Sequence, residues 1–359
     1  MMKRIVAIFM CVIMFTCIFS GCGSSDNKDK KIAMITDYST VEEDSFYYTI
    51  WKSMEEVAVS HNIEYSKYNT SDETFHARKE SIVQAIDDGA TLVILPSSTF
   101  AEVLVEVQKE YPDVKFFGID IGESEFVGTP SDNTYTCAFK EEQAGFLAGY
   151  AAVYEGYTKL GFLGGVNLPS ITRFGYGYVQ GADRAAQDLQ IPIEIKYSYG
   201  GQFYGDMRIT NQMRDWYRTG TEIVFSCGGP IYTSVLEAAL EYNGMIIGVD
   251  VDQRADGANY KYNPFLTSAV KSLAKITKEI VTHYAEGTWK KVGGKVQSLG
   301  LAEGDYVGLP TTKSTWVFNK FTHFIYNDTC NKIKEGKIVI SSGVQNFPFV
   351  SGYTTIIRQ

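Results

Sequence analysis

The sequence carries few of the tools of catalysis. Its four histidines, His61, His76, His283 and His323, are scattered, and no Cys-x-x-Cys pair occurs. Neither a metal site nor a redox dithiol is therefore expected. The patterns G-x-x-x-x-G-K-[ST], G-x-S-x-G and H-E-x-x-H are all missing, so any ATP-driven step belongs to another chain and no hydrolase or zincin signature is present. Excess positive charge is lacking too. The net charge is −9, or −11 without Lys3 and Arg4, which argues against a nucleic-acid binder. Two look-alikes fail on inspection. Gly175–Gly181 has one residue too many for G-x-G-x-x-G and falls within a predicted helix. Asp250-Val-Asp252 starts like a calcium loop, but Ala255 stands where Gly is needed and Lys261 where the closing Glu would be. Cys137, Cys227 and Cys330 sit in strand-like or helical contexts and are expected to be buried free thiols. No cofactor and no catalytic residue is expected.

What is present is enough chain for two cores: 359 residues, 45% hydrophobic and 21% charged, as in ordinary globular proteins. Residues 1–21 form an export signal, with Lys3-Arg4 as the basic region and Ile5–Phe19 as the apolar one. That stretch is shorter than the roughly 20 residues of a spanning helix, although an uncleaved signal anchor is the alternative. Ser20-Gly21-Cys22 resembles a bacterial lipobox with Phe19 in place of the usual aliphatic. Cys22 would then be lipidated, and residues 22–30 would be a flexible tether to the outer side of the membrane.

The body repeats itself. A Gly after a polar helix (Gly89, Gly220) leads to a strand, a small-residue loop (Pro96-Ser97-Ser98, Cys227-Gly228-Gly229), a helix and a Gly-x-Asp strand ending at Asp120 or Asp250. Gly89 to Asp120 spans 31 positions and Gly220 to Asp250 spans 30. Strand alternates with helix throughout, which predicts an α/β fold of two doubly wound parallel-sheet lobes joined by several crossovers. The expected division is 31–132 plus about 251–290 in lobe 1, and 133–250 plus about 291–359 in lobe 2. Crossovers are expected near 121–135 and after Asp250, and a helix over Ser268–Glu286.

In such sheets ligands bind at the carboxyl ends of strands. The first lobe offers Asp37, Phe46, Ser97, Ser98 and Asp120 there. The second offers Asn167, Phe174, Phe203, Asp206, Gly228, Gly229 and Asp250. Carboxylates can accept from ligand hydroxyls, exposed backbone N–H groups can donate, and an aromatic from each side can clamp a flat ligand. Plainer alternatives stand beside these: core packing for Phe46 or Phe203, a helix cap or hinge ion pair for Asp250, and a solvated surface position for Lys271.

One further pattern runs through the chain in order. It comprises Tyr38–Trp51, Phe139–Glu142 with Leu147-Ala148-Gly149, Gly161–Gly165 with Pro169, Phe174 and Gly181, then Gly248–Gln253, Thr267–Lys271 and Gly300–Ala302. This set resembles the basic membrane lipoprotein family, whose members are similar to type I periplasmic binding proteins and serve ABC importers as substrate-binding lipoproteins. The resemblance implies a nucleoside ligand, a permease and separate ATPase as partners, membrane contact through the lipid alone, and a monomer. It implies that Phe46 and Phe203 sandwich the base, that Asp37 meets its polar edges, and that Asp250, Lys271 and the backbone at Gly229 hold the ribose. Glu42-Glu43, Ser39 and Tyr47 depart from the family pattern, Tyr47 standing where the family has Asn. A pyrimidine or modified nucleoside, another sugar-like ligand, or a sensing rather than transporting role therefore stays open. A nucleoside-cleaving enzyme is disfavoured, since no Asp cluster stands at the first strand end.

Overall fold

A computed structural model describes residues 29–37 and 45–359. The export signal, Cys22, most of the tether, and Ser39, Glu42 and Glu43 lie outside the described residues. The first sheet contains β1 (Lys31–Thr36), β2 (Glu64–Asn69), β3 (Leu92–Pro96), β4 (Lys115–Ile119) and β5 (Thr134–Phe139), in the spatial order β5-β4-β3-β1-β2. The second contains β6 (Lys159–Gly164), β7 (Ile193–Tyr199), β8 (Ile223–Cys227), β9 (Met245–Asp250) and β10 (Phe265–Lys271), in the order β10-β9-β8-β6-β7. All of these pairings are parallel. Central strands such as Leu-Val-Ile-Leu-Pro and Ile-Val-Phe-Ser-Cys are wholly buried, whereas edge strand β2, Glu-Tyr-Ser-Lys-Tyr-Asn, alternates with solvent. Cys137, Cys227 and Cys330 are free and buried.

Three further strands complete the sheets: β11 (Lys295–Leu299) beside β5, β12 (Val307–Gly308) antiparallel to β10, and β13 (Thr354–Arg358) beside β7. These are short and polar or lie in turn-rich sequence, so periodicity does not announce them. The division of the chain differs from expectation in three places. β5 and β11 belong to the first sheet, and β10 to the second. The chain therefore changes lobe after β5, after β10, and between β11 and β12. Residues 268–271, expected as helix, are strand, because buried Thr267, Ser268 and Ala269 follow the pairing of β9 and the helix starts only at Leu273.

The helices flank these sheets: α1 (Ser45–Ser60), α2 (Phe75–Asp87), α3 (Ala101–Glu110), α4 (Glu141–Glu155), α5 (Pro169–Leu189), α6 (Met207–Arg218), α7 (Tyr232–Tyr242), α8 (Leu273–Ala285) and α9 (His323–Lys334). α8 returns to the first lobe, where it packs on α1 and its Tyr284 hydroxyl bonds Thr91 at 2.5 Å. Lys30, the last residue before β1, donates to the carbonyls of Tyr284 and Ala285 at the end of α8 (3.2 and 2.6 Å). α4 and α5 meet backbone to backbone. A Cβ on Gly145, Gly149, Gly177 or Gly181 would overlap a carbonyl oxygen of the facing helix, so no larger residue fits this crossing.

Candidate functional site

The repeat noted in the sequence is a repeat of backbone strain. Asp120 and Asp250, each at the end of its Gly-x-Asp strand, both adopt positive φ, 60° and 65°. Asp is among the few L residues that accept this region. The result turns both carboxylates out of their sheets toward one side chain, Lys271, at the end of β10.

The Lys271 ammonium is 2.7 Å from Asp120 Oδ2, 3.3 Å from Asp250 Oδ1 and 3.5 Å from Glu141 Oε1. Three rings surround it, with centroids 5.2 Å (Phe46), 5.6 Å (Phe139) and 5.4 Å (Phe174) away. Burial opposes the charged form, but the carboxylates of Asp120, Asp250 and Glu141 outweigh it and hold the pKa above the ordinary value. A solvated surface lysine is thereby excluded: the residue is 6% exposed. Glu141, the first residue of α4, is raised by burial against the pull of Arg173 and Lys271. Arg173 on α5 donates to Glu141 Oε2 at 2.6 Å and reaches Glu125 Oε1 at 3.4 Å. Burial works against the guanidinium, yet Glu141 and Glu125 keep it above its usual pKa. Four carboxylates thus face two cations. Asp120 Oδ1 and Arg173 Nη2 are buried without a hydrogen-bond partner among the described residues, a donor and an acceptor available to an incoming polar group.

Both lobes contribute. Asp120 and Glu125 follow β4 of the first sheet, whereas Asp250, Lys271 and Arg173 belong to the second lobe. The carboxyl edges of the two sheets therefore face one another, and α1 approaches the Gly229–Ile231 turn across the gap.

The other sequence candidates fall into three places. Phe174 is 1% exposed and packs edge-on against Phe225, so it floors the cluster. Tyr47 is buried and packs edge-on against Phe46, ring centroids 5.4 Å apart. Phe203 lies in the loop before α6, is 37% exposed, and crowds Gly165 beside Gly228. Gly228 and Gly229 take positive φ (128° and 59°) and open the turn that leads into α7. Asp37 stands elsewhere, gripped by Arg78 of α2 through Nε–Oδ1 (2.8 Å) and Nη2–Oδ2 (3.3 Å), with the Thr99 hydroxyl also on Oδ2. Ser97 accepts from the backbone N–H of Thr99 (3.2 Å), and its hydroxyl lies 2.8 Å from that of Thr99. Asp206 caps α6 through Ile209 N–H at 2.7 Å, and Asn167 accepts from Thr172 at 2.6 Å. Sequence reasoning missed Arg173, Glu141, Glu125 and Arg78 as members. The available signals were charged residues on otherwise apolar, glycine-rich stretches, at Arg173 before Phe174 and at Glu141 after buried β5.

Residues 30–342 match the model of the Bmp family, described as ABC transporter substrate-binding protein PnrA-like. The chain is 25% identical over 331 residues to the ABC transporter nucleoside-binding protein BmpA of Lactococcus lactis subsp. cremoris, covering 85% of this chain and 90% of that protein. It is 28% identical over 362 residues to basic membrane protein B of Borrelia garinii subsp. bavariensis, covering 99% and 98%. Among solved structures, an ABC transporter system solute-binding protein from Aeropyrum pernix K1 superposes with a TM-score of 0.76 at 17% identity, covering 88% of this chain and 94% of that one. That likeness shows a shared fold.

Proposed function

Because the chain belongs to the Bmp family of PnrA-like ABC transporter substrate-binding proteins, we propose that it captures a nucleoside between its lobes and delivers it to an ABC importer. One observation carries this reading: Asp120, Asp250 and Lys271 converge from both lobes beside Phe46, with an orphaned acceptor on Asp120. Ribose hydroxyls are donors as well as acceptors. They can insert between the carboxylates and the ammonium and satisfy both. Phe46 supplies one face for a base, and Phe203, exposed on the opposite lobe, supplies the other on closure. Gly229, at the turn that leads into α7, offers its backbone N–H to a ribose hydroxyl, while Phe174 backs the ammonium.

In this reading Cys22 carries the lipid, residues 22–30 span from membrane to fold, and the protein works as a monomer outside the cytoplasmic membrane. Closure is a population shift driven by contacts made only when both lobes touch the ligand. An affinity of about 0.1–10 µM, roughly −7 to −10 kcal/mol, suits capture followed by release. The name of the Lactococcus lactis relative supports nucleosides as the ligand class.

Calorimetric titration of ligand-stripped, refolded protein with adenosine, guanosine, inosine, uridine and cytidine tests the reading. Micromolar or tighter binding is expected, lost in Asp250→Ala and Phe203→Ala. A folded protein that releases no heat with any of the five would remove nucleosides as the ligand class.

A further inference from the structure

We infer that Arg78 sets the base preference of this cleft, favouring bases that present a carbonyl over those that present an amino group. The inference rests on the nucleoside reading and concerns the corner of the first lobe where Asp37 stands. Asp37 follows β1, Ser97 follows β3, and Arg78 lies in the first turn of α2, so all three sit at the carboxyl edge that faces the second lobe.

A lone carboxylate here would accept from an amino group or ring N–H of a base. This carboxylate is occupied. Arg78 donates through Nε and Nη2 to its two oxygens, and Thr99 reaches Oδ2. A carboxylate has about four lone-pair sites, so at most one is left. The Arg78 and Asp37 side chains are 12% and 13% exposed, so the pair is held in place and still reaches the surface. The guanidinium carbon lies 5.8 Å from the Phe100 ring centroid.

What the corner can still give is donors. Arg78 has five N–H groups and spends two on Asp37; Nη1 makes no hydrogen bond to the described residues. Guanidinium donors match the adjacent O6 and N7 acceptors of a 6-oxopurine, and equally the O4 of uracil. The amino group of adenine or cytosine would set donor against donor and leave both unsatisfied, which is how a polar site rejects a near-isostere. Arg78 is thus a specificity-determining residue, and guanosine, inosine and uridine are the ligands it favours.

The test is calorimetry on the full chain in detergent micelles, stripped of ligand by unfolding and refolding. Wild type is expected to bind inosine and guanosine about ten-fold or more tighter than adenosine, and uridine tighter than cytidine by a similar factor. In Arg78→Gln, whose amide can donate or accept, the inosine-to-adenosine ratio should fall to within about three-fold. Arg78→Lys, which keeps the charge on Asp37 and so guards against loss of fold, should give an intermediate ratio. Equal or tighter binding of adenosine by wild type, or an unchanged ratio in either folded variant, overturns the role of Arg78 while leaving nucleoside capture intact. Failure of every nucleoside to bind folded wild type would instead sink the nucleoside reading, and this inference with it.

Discussion

At the scale of single residues, Lys271 and Glu142 show how burial fixes charge states. Lys271 remains an ammonium because removing its proton would leave the buried Asp120, Asp250 and Glu141 facing one another without a cation between them. Glu142, beside Glu141 at the start of α4, has no ion-pair partner among the described residues. It is 5% exposed, and its Oε2 has no hydrogen-bond partner among the described residues. Burial, reinforced by the Glu141 carboxylate, pushes its pKa up from an ordinary 4.5 to about 7. The folded state then binds this proton more tightly than the unfolded chain does. Its contribution is neutral below about pH 4.5, and stability is lost as pH rises from there to about 7. Glu142→Gln removes that loss. Urea denaturation should find the variant more stable than wild type by about 1–3 kcal/mol at pH 8 and indistinguishable at pH 4. Equal midpoints at pH 8 would mean that water reaches Glu142 in solution.

At the scale of elements, the α4–α5 crossing positions the cation cluster. Glu141 opens α4, while Arg173 and Phe174 lie in the first turns of α5. Their mutual distances depend on how closely the two helix backbones approach. Gly145 and Gly149 on one helix and Gly177 and Gly181 on the other allow that approach. The spacing of four residues puts each glycine pair on one face. At Gly181 a methyl group would meet the backbone of Phe146, which cannot swing aside as a side chain can. Gly181→Ala should cost about 1–3 kcal/mol in denaturant titration through overpacking. It should also weaken ligand binding, because spreading the helices draws Arg173 away from Glu141. Weaker stability with untouched affinity would uncouple this crossing from the site.

At the scale of the whole molecule, two ion pairs among the described residues cross between the lobes: Lys271 with Asp120, and Arg173 with Glu125. Lys271 ends β10 just before one change of lobe, and Arg173 also holds Glu141, which follows β5 at another. Each pair is made only while the lobes are together, so each biases the molecule toward closure. The double substitution Asp120→Asn, Glu125→Gln keeps the side-chain shapes, and Asn tolerates the positive φ at position 120. Small-angle scattering should report a larger radius of gyration for the ligand-free variant. Affinity should fall by about ten-fold or more, because binding must first restore the closed population and because Asp120 loses the charge that strengthens its bond to a ribose hydroxyl. An unchanged scattering profile would show that the remaining interlobe contacts suffice to hold the lobes together.

The sequence by itself determined the alternation of strand and helix, the two-lobed plan and the strand-end positions of Asp120, Asp250 and Gly229. Those features follow from local periodicity and from a repeat that places the same loop at the same strand end. The ordered motifs determined the family. Tertiary structure alone decided the strand order, because β5, β10 and β11 are assigned by which neighbour they pair with across long separations, and pairing leaves no mark in a single strand's pattern. It also decided the partners of each charge. Lys271 reads as an ordinary surface lysine until β10 is laid beside β9, and Asp37 reads as a free acceptor until α2 brings Arg78 onto it. Charge pairing over 41 residues in one case and 151 in the other is a property of the folded chain, where removal from water makes a buried ion take a partner or give up its charge.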